Sequence, residues 1–411
     1  MTHSKSLIHK TLLSLLILIT SSFAQIEVEG YIGLDSQSYS DKNNKHSNNV
    51  TLQQQLKITY EKENFSSILE LYAQEDKSDF SSTKENDRTF LRINEFYTQY
   101  EGEDYKLLFG KNIRFWGALE VRNIVDTFNR RDSRNDSFTT DKIGAYNISY
   151  SHYFEDSELS VITKLYEQKS KMANSSYMYS ILNEGQSYND KLESEKSLYR
   201  PSLYLAYNGS SYGDEYSLDY AFIYENGYDS QRYFTVNNNE YKQHAYLVNK
   251  FMTYNTLVLD STLYKLEALY ANITENKNIS DYIHIALGIE HTLDALSSGH
   301  EIGLISEYYY YDTFEHDKLN DLSLGETFQN DLFLGMRYSF NDADDSNAVG
   351  GIIIDTQYDE QSYYIEYETR IYDLAKVKLD YRYIEPSDTD NTVYAQLGRH
   401  QRIALNISYH F

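Results

Sequence analysis

The chain has 411 residues, with 37 Lys and Arg against 62 Asp and Glu, a formal net charge of −25. Such an acidic chain is repelled by phosphate, which excludes non-specific nucleic-acid binding. It has no Cys, so neither a disulfide framework nor a lipoprotein anchor exists, and 43 Tyr beside 2 Pro suit neither a helical membrane protein nor an ordinary soluble domain.

The first residues read as a Sec signal. Lys5 and Lys10 form the positive n-region, "LLSLLILIT" (12–20) is the apolar h-region, and Ser22-Phe23-Ala24 puts small residues at the −3 and −1 positions of a cleavage site. The apolar run is about half the ~20 residues a spanning helix needs. The expected domains are therefore a signal peptide over 1–24 and one mature unit over 25–411. Losing Lys5 and Lys10 takes the charge from −25 to −27, because residues 1–24 hold no other charged side chain.

From residue 26 onward the chain alternates apolar and polar residues with period two. "LQQQLKITY" puts Leu52, Leu56, Ile58 and Tyr60 on one face. "YKLLFGKNIRF" does the same with Tyr105, Leu107, Phe109, Ile113 and Phe115, although Lys111 interrupts that row. "YSLDYAFIY" aligns Tyr216, Leu218, Tyr220, Phe222 and Tyr224, and "KVKLDYRY" sets Val377, Leu379, Tyr381 and Tyr383 against Lys376, Lys378, Asp380 and Arg382. A strand charged on its second face cannot sit in a sandwich core, but it can line a wet lumen. The segment "RTFLRINEFYTQY" (88–100) supports either register.

Such runs number about eighteen, with sixteen the nearest alternative. They lie near 26–39, 49–62, 65–75, 88–101, 104–115, 142–153, 157–168, 199–208, 214–226, 240–252, 255–272, 282–294, 299–311, 330–341, 346–357, 361–372, 375–385 and 401–411. The fold class expected is all-β, a transmembrane antiparallel β-barrel. Connections after even-numbered strands are short, such as "KEN" (62–64), "TYN" (253–255) and "YDL" (372–374). Those after odd-numbered strands are mostly long, including 76–87, 116–141, 169–198, 312–329 and 386–400. Short periplasmic turns and long outer loops produce this alternation.

One stretch breaks the pattern: "RFWGALEVRNIVDTFNRRDSRND" (114–136), with the only Trp and five arginines. It falls in the third outer loop. Trp116 can anchor it by apolar burial, and Gly117 lets the backbone leave the strand. Leu119, Val121, Ile124, Val125 and Phe128 recur at roughly helical spacing, which predicts a short helix against the inner wall. Arg114, Glu120, Arg122, Asp126, Arg130, Arg131, Asp132 and Arg134 are left to face water or one another. Over 111–136 six basic residues stand against four acidic ones, a local +2. Rings of charge are how wide pores select ions. Two readings stand: a pore constriction, or a surface loop whose charges pair or bind lipopolysaccharide.

"GKNIRFWGALEVRNIVDTFNRRD" (110–132) resembles a segment of Gram-negative outer-membrane porins and porin-like barrels: a Gly-Lys/Arg strand end, a Trp-Gly pair, then Asn-x-x-Asp-x-x-Asn, here Asn123, Asp126 and Asn129. Ile124 and Arg130 stand where that pattern often has Pro. The last residues, "QRIALNISYHF", look like the C-terminal assembly signal of such barrels, with Tyr409 and Phe411 in its aromatic positions and Asn406 where Gly is frequent. The resemblance implies a third loop folded into the pore, partnership with the barrel-assembly machinery, outer-membrane lipid and lipopolysaccharide, and a homotrimer.

Other features carry no chemistry. Asp342, Asp344 and Asp345 lack EF-hand spacing and read as a solvated turn, as do "EHDKLNDLSLGETFQND" (315–331) and the scattered His284, His291 and His300. No metal and no cofactor is expected. Ser151-His152 lies at a predicted periplasmic end, the wrong place for a barrel hydrolase, and no nucleophile motif appears, so no enzyme is expected. The expectation is an outer-membrane porin, exported through a cleaved signal peptide and passing small hydrophilic solutes or ions passively through an arginine-rich third-loop constriction. A substrate-specific channel for sugars or organic anions is the alternative, with lumen tyrosines such as Tyr31, Tyr309 and Tyr364 available to stack on rings. With the loop inside, the nearest charges dominate over a Debye length of about 8 Å, which points to anion preference.

Overall fold

The computed structural model describes residues 25–40, 47–81, 88–136, 141–293, 299–320, 326–372, 374–389 and 392–411; the expected signal segment lies outside them. Eighteen strands form one antiparallel sheet. They are β1 (Ile26–Tyr39), β2 (Asn48–Lys62), β3 (Phe65–Asp76), β4 (Phe90–Glu101), β5 (Tyr105–Asn112), β6 (Ala145–Tyr153), β7 (Ser157–Lys164), β8 (Ser202–Tyr212) and β9 (Tyr216–Tyr228). Then follow β10 (Leu247–Leu259), β11 (Thr262–Thr274), β12 (Tyr282–Leu293), β13 (Glu301–Thr313), β14 (Asn330–Ser339), β15 (Asn347–Asp355), β16 (Gln361–Ile371), β17 (Ala375–Glu385) and β18 (His400–His410).

The sheet closes where β1 pairs with β18, from Tyr31 opposite His410 to Tyr39 opposite Arg402. Gly30 and Phe411 exchange backbone hydrogen bonds of 3.0 Å beyond that ladder. Closure is what a sheet in lipid requires, because an open edge would leave amides and carbonyls without partners. Alternation sorts the side chains as expected. On β6, Tyr146, Ile148 and Tyr150 point outward and are exposed, while Ala145, Asn147, Ser149 and Ser151 are buried inside.

Two ambiguities of the sequence resolve at one place. Between β3 and β4 the register shifts, Glu70 facing Glu95 but Leu71 facing Ile93, so Asn94 is an extra residue. Leu91 and Ile93 face lipid before this bulge and Phe96 after it, which is why residues 88–100 fit both registers. Lys111, on the lipid-facing parity of β5, is buried and donates its Nζ to the carbonyl of Ile93 at the same bulge.

The tenth and eleventh strands are displaced from their expected limits of 240–252 and 255–272. Thr253 to Asn255 do not turn: they pair with Ala268 to Leu266 on one side and Phe222 to Tyr220 on the other. The turn falls at Asp260-Ser261, with Asp260 at φ 50, a conformation suited to a two-residue hairpin. Glu240–Ala245 belongs to a small sheet outside the barrel, parallel to Ser187–Ser194 and antiparallel to Tyr233–Asn237. The fifth strand ends at Asn112 rather than 115.

The face assignment is testable on β17. Leu379 is exposed on the lipid face near the middle of its strand, and Lys378 lies on the inner face beside Glu366. Leu379→Arg should lower unfolding free energy in vesicles by roughly 2–4 kcal/mol. Lys378→Arg should change it by less than about 0.5 kcal/mol, because it leaves the inner face charged and wet. Urea titration of the refolded barrel reads both.

Candidate functional site

The inner wall is not uniformly polar. From β7 to β13 its inward residues include Ile162, Ala206, Ile223, Val248, Met252, Leu269, Ala271, Ala286 and Ile305, all buried. The third loop, residues 113–144, covers this wall. Trp116, Leu119, Ile124, Val125 and Phe128 join those residues in one core cluster. Trp116 packs edge-on to Phe128 at 5.8 Å, and both contact the ring of Tyr204. Burial of each such side chain stabilises the loop by about 1.5–3 kcal/mol.

The expected helix does not form, because the loop amides are claimed by other acceptors. Glu267 on β11 accepts hydrogen bonds from the amides of Ala118 (2.7 Å), Leu119 (3.3 Å), Ile124 (2.7 Å) and Val125 (3.2 Å). Glu307 on β13 accepts those of Glu120 (2.6 Å) and Val121 (3.1 Å), and the Tyr309 hydroxyl accepts that of Arg122 (3.1 Å). Both carboxylates are fully buried, where charge-assisted bonds to amides take the place of a cation. The Asn-x-x-Asp-x-x-Asn pattern fastens the loop to itself. Asn129 Oδ1 accepts the Arg114 amide (2.8 Å), Asp126 Oδ1 that of Trp116 (3.4 Å), and Asn123 Oδ1 that of Leu119 (3.0 Å). Three rungs thus hold the outgoing limb against the returning one. Gly117, at φ 148, sits inside this clamp, and a Cβ there would lie 2.1 Å from Asn123 Oδ1.

Most of the expected charged residues are paired. Arg114 donates to Ser149 Oγ (2.8 Å) and lies over the Phe128 ring. Glu120 meets Arg337 (2.5 Å), Arg122 meets Glu326 (2.9 Å), and Asp126 meets Lys142 (2.6 Å). Arg130 is buried on Glu167 (2.5 Å), which also takes Lys164 (2.8 Å) and Arg232. Asp132 pairs with Arg134 (2.7 Å) and Arg92, and the Arg134 guanidinium stacks 3.6 Å from the Phe90 ring centre. Asp136 pairs with Arg402. Burial raises the Glu167 carboxyl, but Arg130, Lys164 and Arg232 outweigh it and hold that group well below the usual range. At Glu326 burial is likewise outweighed, by Arg122 and His284, leaving it at about 2.

Arg131 is the exception. Among the described residues it has neither an ion pair nor a side-chain hydrogen bond. Repulsion from Arg122, then burial, brings it down to about 10, so it stays charged at neutral pH. Its position is central. A cavity of about 660 Å³ lies between the loop and the wall from β15 to β1, bounded by Val349, Tyr364, Lys378 and Arg402. A second, of about 310 Å³, lies between the loop and Ser170, Gln231 and Phe234 of later loops. Arg122, Asn123, Asp126, Arg131 and Thr327 line both. Tyr409 and Phe411 lie outside this site, exposed at the lipid face.

Sequence reasoning missed Glu267, Glu307, Glu167 and Glu326. A signal existed for the first two: "KLEALYANI" and "LISEYYYY" each hold one carboxylate in a strand apolar on both faces.

Two measurements follow from this geometry. Glu267→Ala removes one acceptor from four amides and should lower stability by about 3 kcal/mol. It should also open the loop to trypsin after Arg122 or Arg131 in the folded barrel, sites the wild type protects; an equally resistant variant would falsify the anchoring role. The second concerns pH. The folded pKa of Glu326 lies below its unfolded value of about 4.3, so its pair with Arg122 stabilises fully above that value and is lost as pH falls toward the folded one. The stability gap between wild type and Glu326→Gln should be constant from pH 7 to about 5.5 and vanish as pH falls through about 4.3 to 2, in thermal unfolding.

No protein-family model matches the chain, and no curated protein matches it either. Solved structures do. OccAB1 of Acinetobacter baumannii superimposes with a TM-score of 0.58 at 7% identity, covering 94% of this chain and 96% of that one. The outer membrane protein OpdK of Pseudomonas aeruginosa, solved with vanillate, gives 0.55 at 8%, covering 95% and 100%. OccK8 (OprE) of the same organism gives 0.52 at 10%, covering 95% and 98%. At these identities the likeness concerns the fold: a closed eighteen-stranded barrel of the kind found in Gram-negative outer-membrane porins.

Proposed function

We propose that this protein is an outer-membrane channel that passes small hydrophilic solutes between its two lumen cavities, with the third loop as the constriction. The observation that carries this reading is the five-residue boundary common to both cavities, three members of which are charged. There Arg122 and Arg131 stand against Asp126, a net +1, while Glu326 and Lys142 cancel each other as outside partners. The surplus charge is that of Arg131, so anions are favoured at the narrowest point. Arg130 and Arg134, which looked equivalent in the sequence, serve to hold the loop through Glu167 and Asp132.

A second reading, a substrate-specific channel for organic anions, draws support from the lining of the larger cavity. Phe328, Tyr364 and Tyr394 share it with Arg131, which offers aromatic faces beside a cation. The fold neighbour OpdK was solved with vanillate, an aromatic carboxylate.

Planar-bilayer recording on the refolded barrel in a salt gradient tests the primary reading. Wild type should show stable steps and an anion-favouring reversal potential. A unit charge about 4 Å from the ion path is worth roughly 1 kcal/mol in water, with opposite sign for an anion and a cation, so Arg131→Ala should lower the anion-to-cation permeability ratio by up to about thirtyfold, and Arg131→Glu more. An unchanged ratio would place the ion path away from this boundary. Saturating block by vanillate but not by chloride would favour the second reading.

A further inference from the structure

Gln329 and Asp331 close the stretch 315–331, which reads in the sequence as a solvated turn, yet both are buried on the inward face at the outer end of β14. Asp355, at the outer end of β15, is buried as well and lies directly opposite Asp331. Like charges facing each other on neighbouring strands repel, and burial removes the water that would screen them. Among the described residues no ion pair neutralises Asp331, and Glu326 adds a further negative charge to its surroundings. Both carboxylates accept hydrogen bonds as ionised groups do. Asp355 Oδ1 takes the amides of Gln357 (2.7 Å) and Tyr358 (3.0 Å), and its Oδ2 takes Gln329 Nε2 (2.9 Å). Asp331 Oδ2 takes the amide of Asn330 (3.1 Å).

Gln329 Oε1 belongs to the same amide group that touches Asp355, is fully buried, and has no hydrogen-bond partner. A buried acceptor left in that state is costly. A cation answers both defects at once, neutralising the facing carboxylates and giving the amide oxygen a partner. We propose that Gln329, Asp331 and Asp355 bind one calcium ion. No three acidic or histidine side chains meet among the described residues, so the amide and water complete the set. All are hard oxygen donors, and a buried site favours Ca²⁺ over Mg²⁺, which sheds its water reluctantly. The ion ties the loop before β14 to the turn after β15. Glu360 carries that tie to the last long loop, its Oε1 accepting the Ser387 amide (3.1 Å) and the Thr392 hydroxyl. Phe328 of the first loop and Tyr394 of the last both line the larger cavity, so the ion fixes its rim whatever the channel passes.

Isothermal titration calorimetry on the refolded, EDTA-treated full-length barrel tests this, with calcium chloride and magnesium chloride as probes. Wild type should bind one Ca²⁺ with a dissociation constant of about 10⁻⁴ M, as extracellular calcium modules do, and Mg²⁺ at least about tenfold more weakly. Asp331→Asn should bind Ca²⁺ at least about tenfold more weakly than wild type. In EDTA the same variant should melt above wild type, because the facing charges no longer repel, and saturating Ca²⁺ should reverse that order. Gln329→Leu should lose affinity too, while Gln329→Glu, which adds a third carboxylate, should gain it. Asp214→Asn/Glu215→Gln, which neutralises two exposed neighbours on a short turn, should bind as wild type does. Heat-modifiable gel migration confirms that each variant is folded, and the two Gln329 variants decide if Asp331→Asn is not. Absence of saturable Ca²⁺ binding would mark the carboxylates as a pair sharing one proton and overturns the proposal. Undiminished binding in Asp331→Asn, equal Mg²⁺ affinity, or an equal loss in the Asp214/Glu215 variant does so too.

Discussion

The structure depends on two carboxylates that, among the described residues, pair with no cation. Glu267 and Glu307 are buried in the barrel wall and satisfied by six backbone amides of the third loop, four on the first and two on the second. A buried charge left without partners costs several kcal/mol, so neither wall nor loop is stable without the other. The same contacts take the amides that a helix would have used internally, which is why a segment with helical spacing of apolar residues stays irregular. They also hold Trp116 and Phe128 on the apolar half of the inner wall.

That half-apolar interior determines where water can be. A barrel of eighteen strands is wide enough for an aqueous channel, but from β7 to β13 the inner wall carries apolar residues such as Ile162, Val248 and Leu269 among buried charges such as Lys250, Glu267 and Glu307, and that apolar surface needs a cover. The loop supplies it, and the open space is pushed to the opposite side, where Asp35, Glu366, Lys378 and Arg402 line the larger cavity. The charges follow the same division. Those facing the covered wall are locked in pairs, as Arg130 is on Glu167, while Arg131 at the boundary of the two cavities keeps its charge uncompensated.

The outside of the barrel obeys simpler rules. Where lipid is the solvent, rows are apolar and alternate with the wet face, and exceptions are informative. Lys111 escapes lipid by reaching a carbonyl at the Asn94 bulge. Asn226, Asn249 and Asn272 on β9 to β11 lie one step beyond Tyr224, Phe251 and Tyr270, toward the long loops.

Period-two alternation, turn spacing and the terminal "NISYHF" were sufficient to read the closed barrel, its strand number and the odd third loop, because each strand faces lipid on one side and that demand repeats along the chain. Local pattern failed where two local solutions were equally good. Thr253-Tyr254-Asn255 can turn or pair, and pairing on both sides decided it. The loop residues were legible as types but not as roles: Arg130, Arg131 and Arg134 read alike, and only partners far away in sequence, Glu167 for Arg130 and none among the described residues for Arg131, separate an anchor from a free charge. Contacts of that kind are set by which strands the closed sheet brings across the lumen, and no spacing within the loop encodes them.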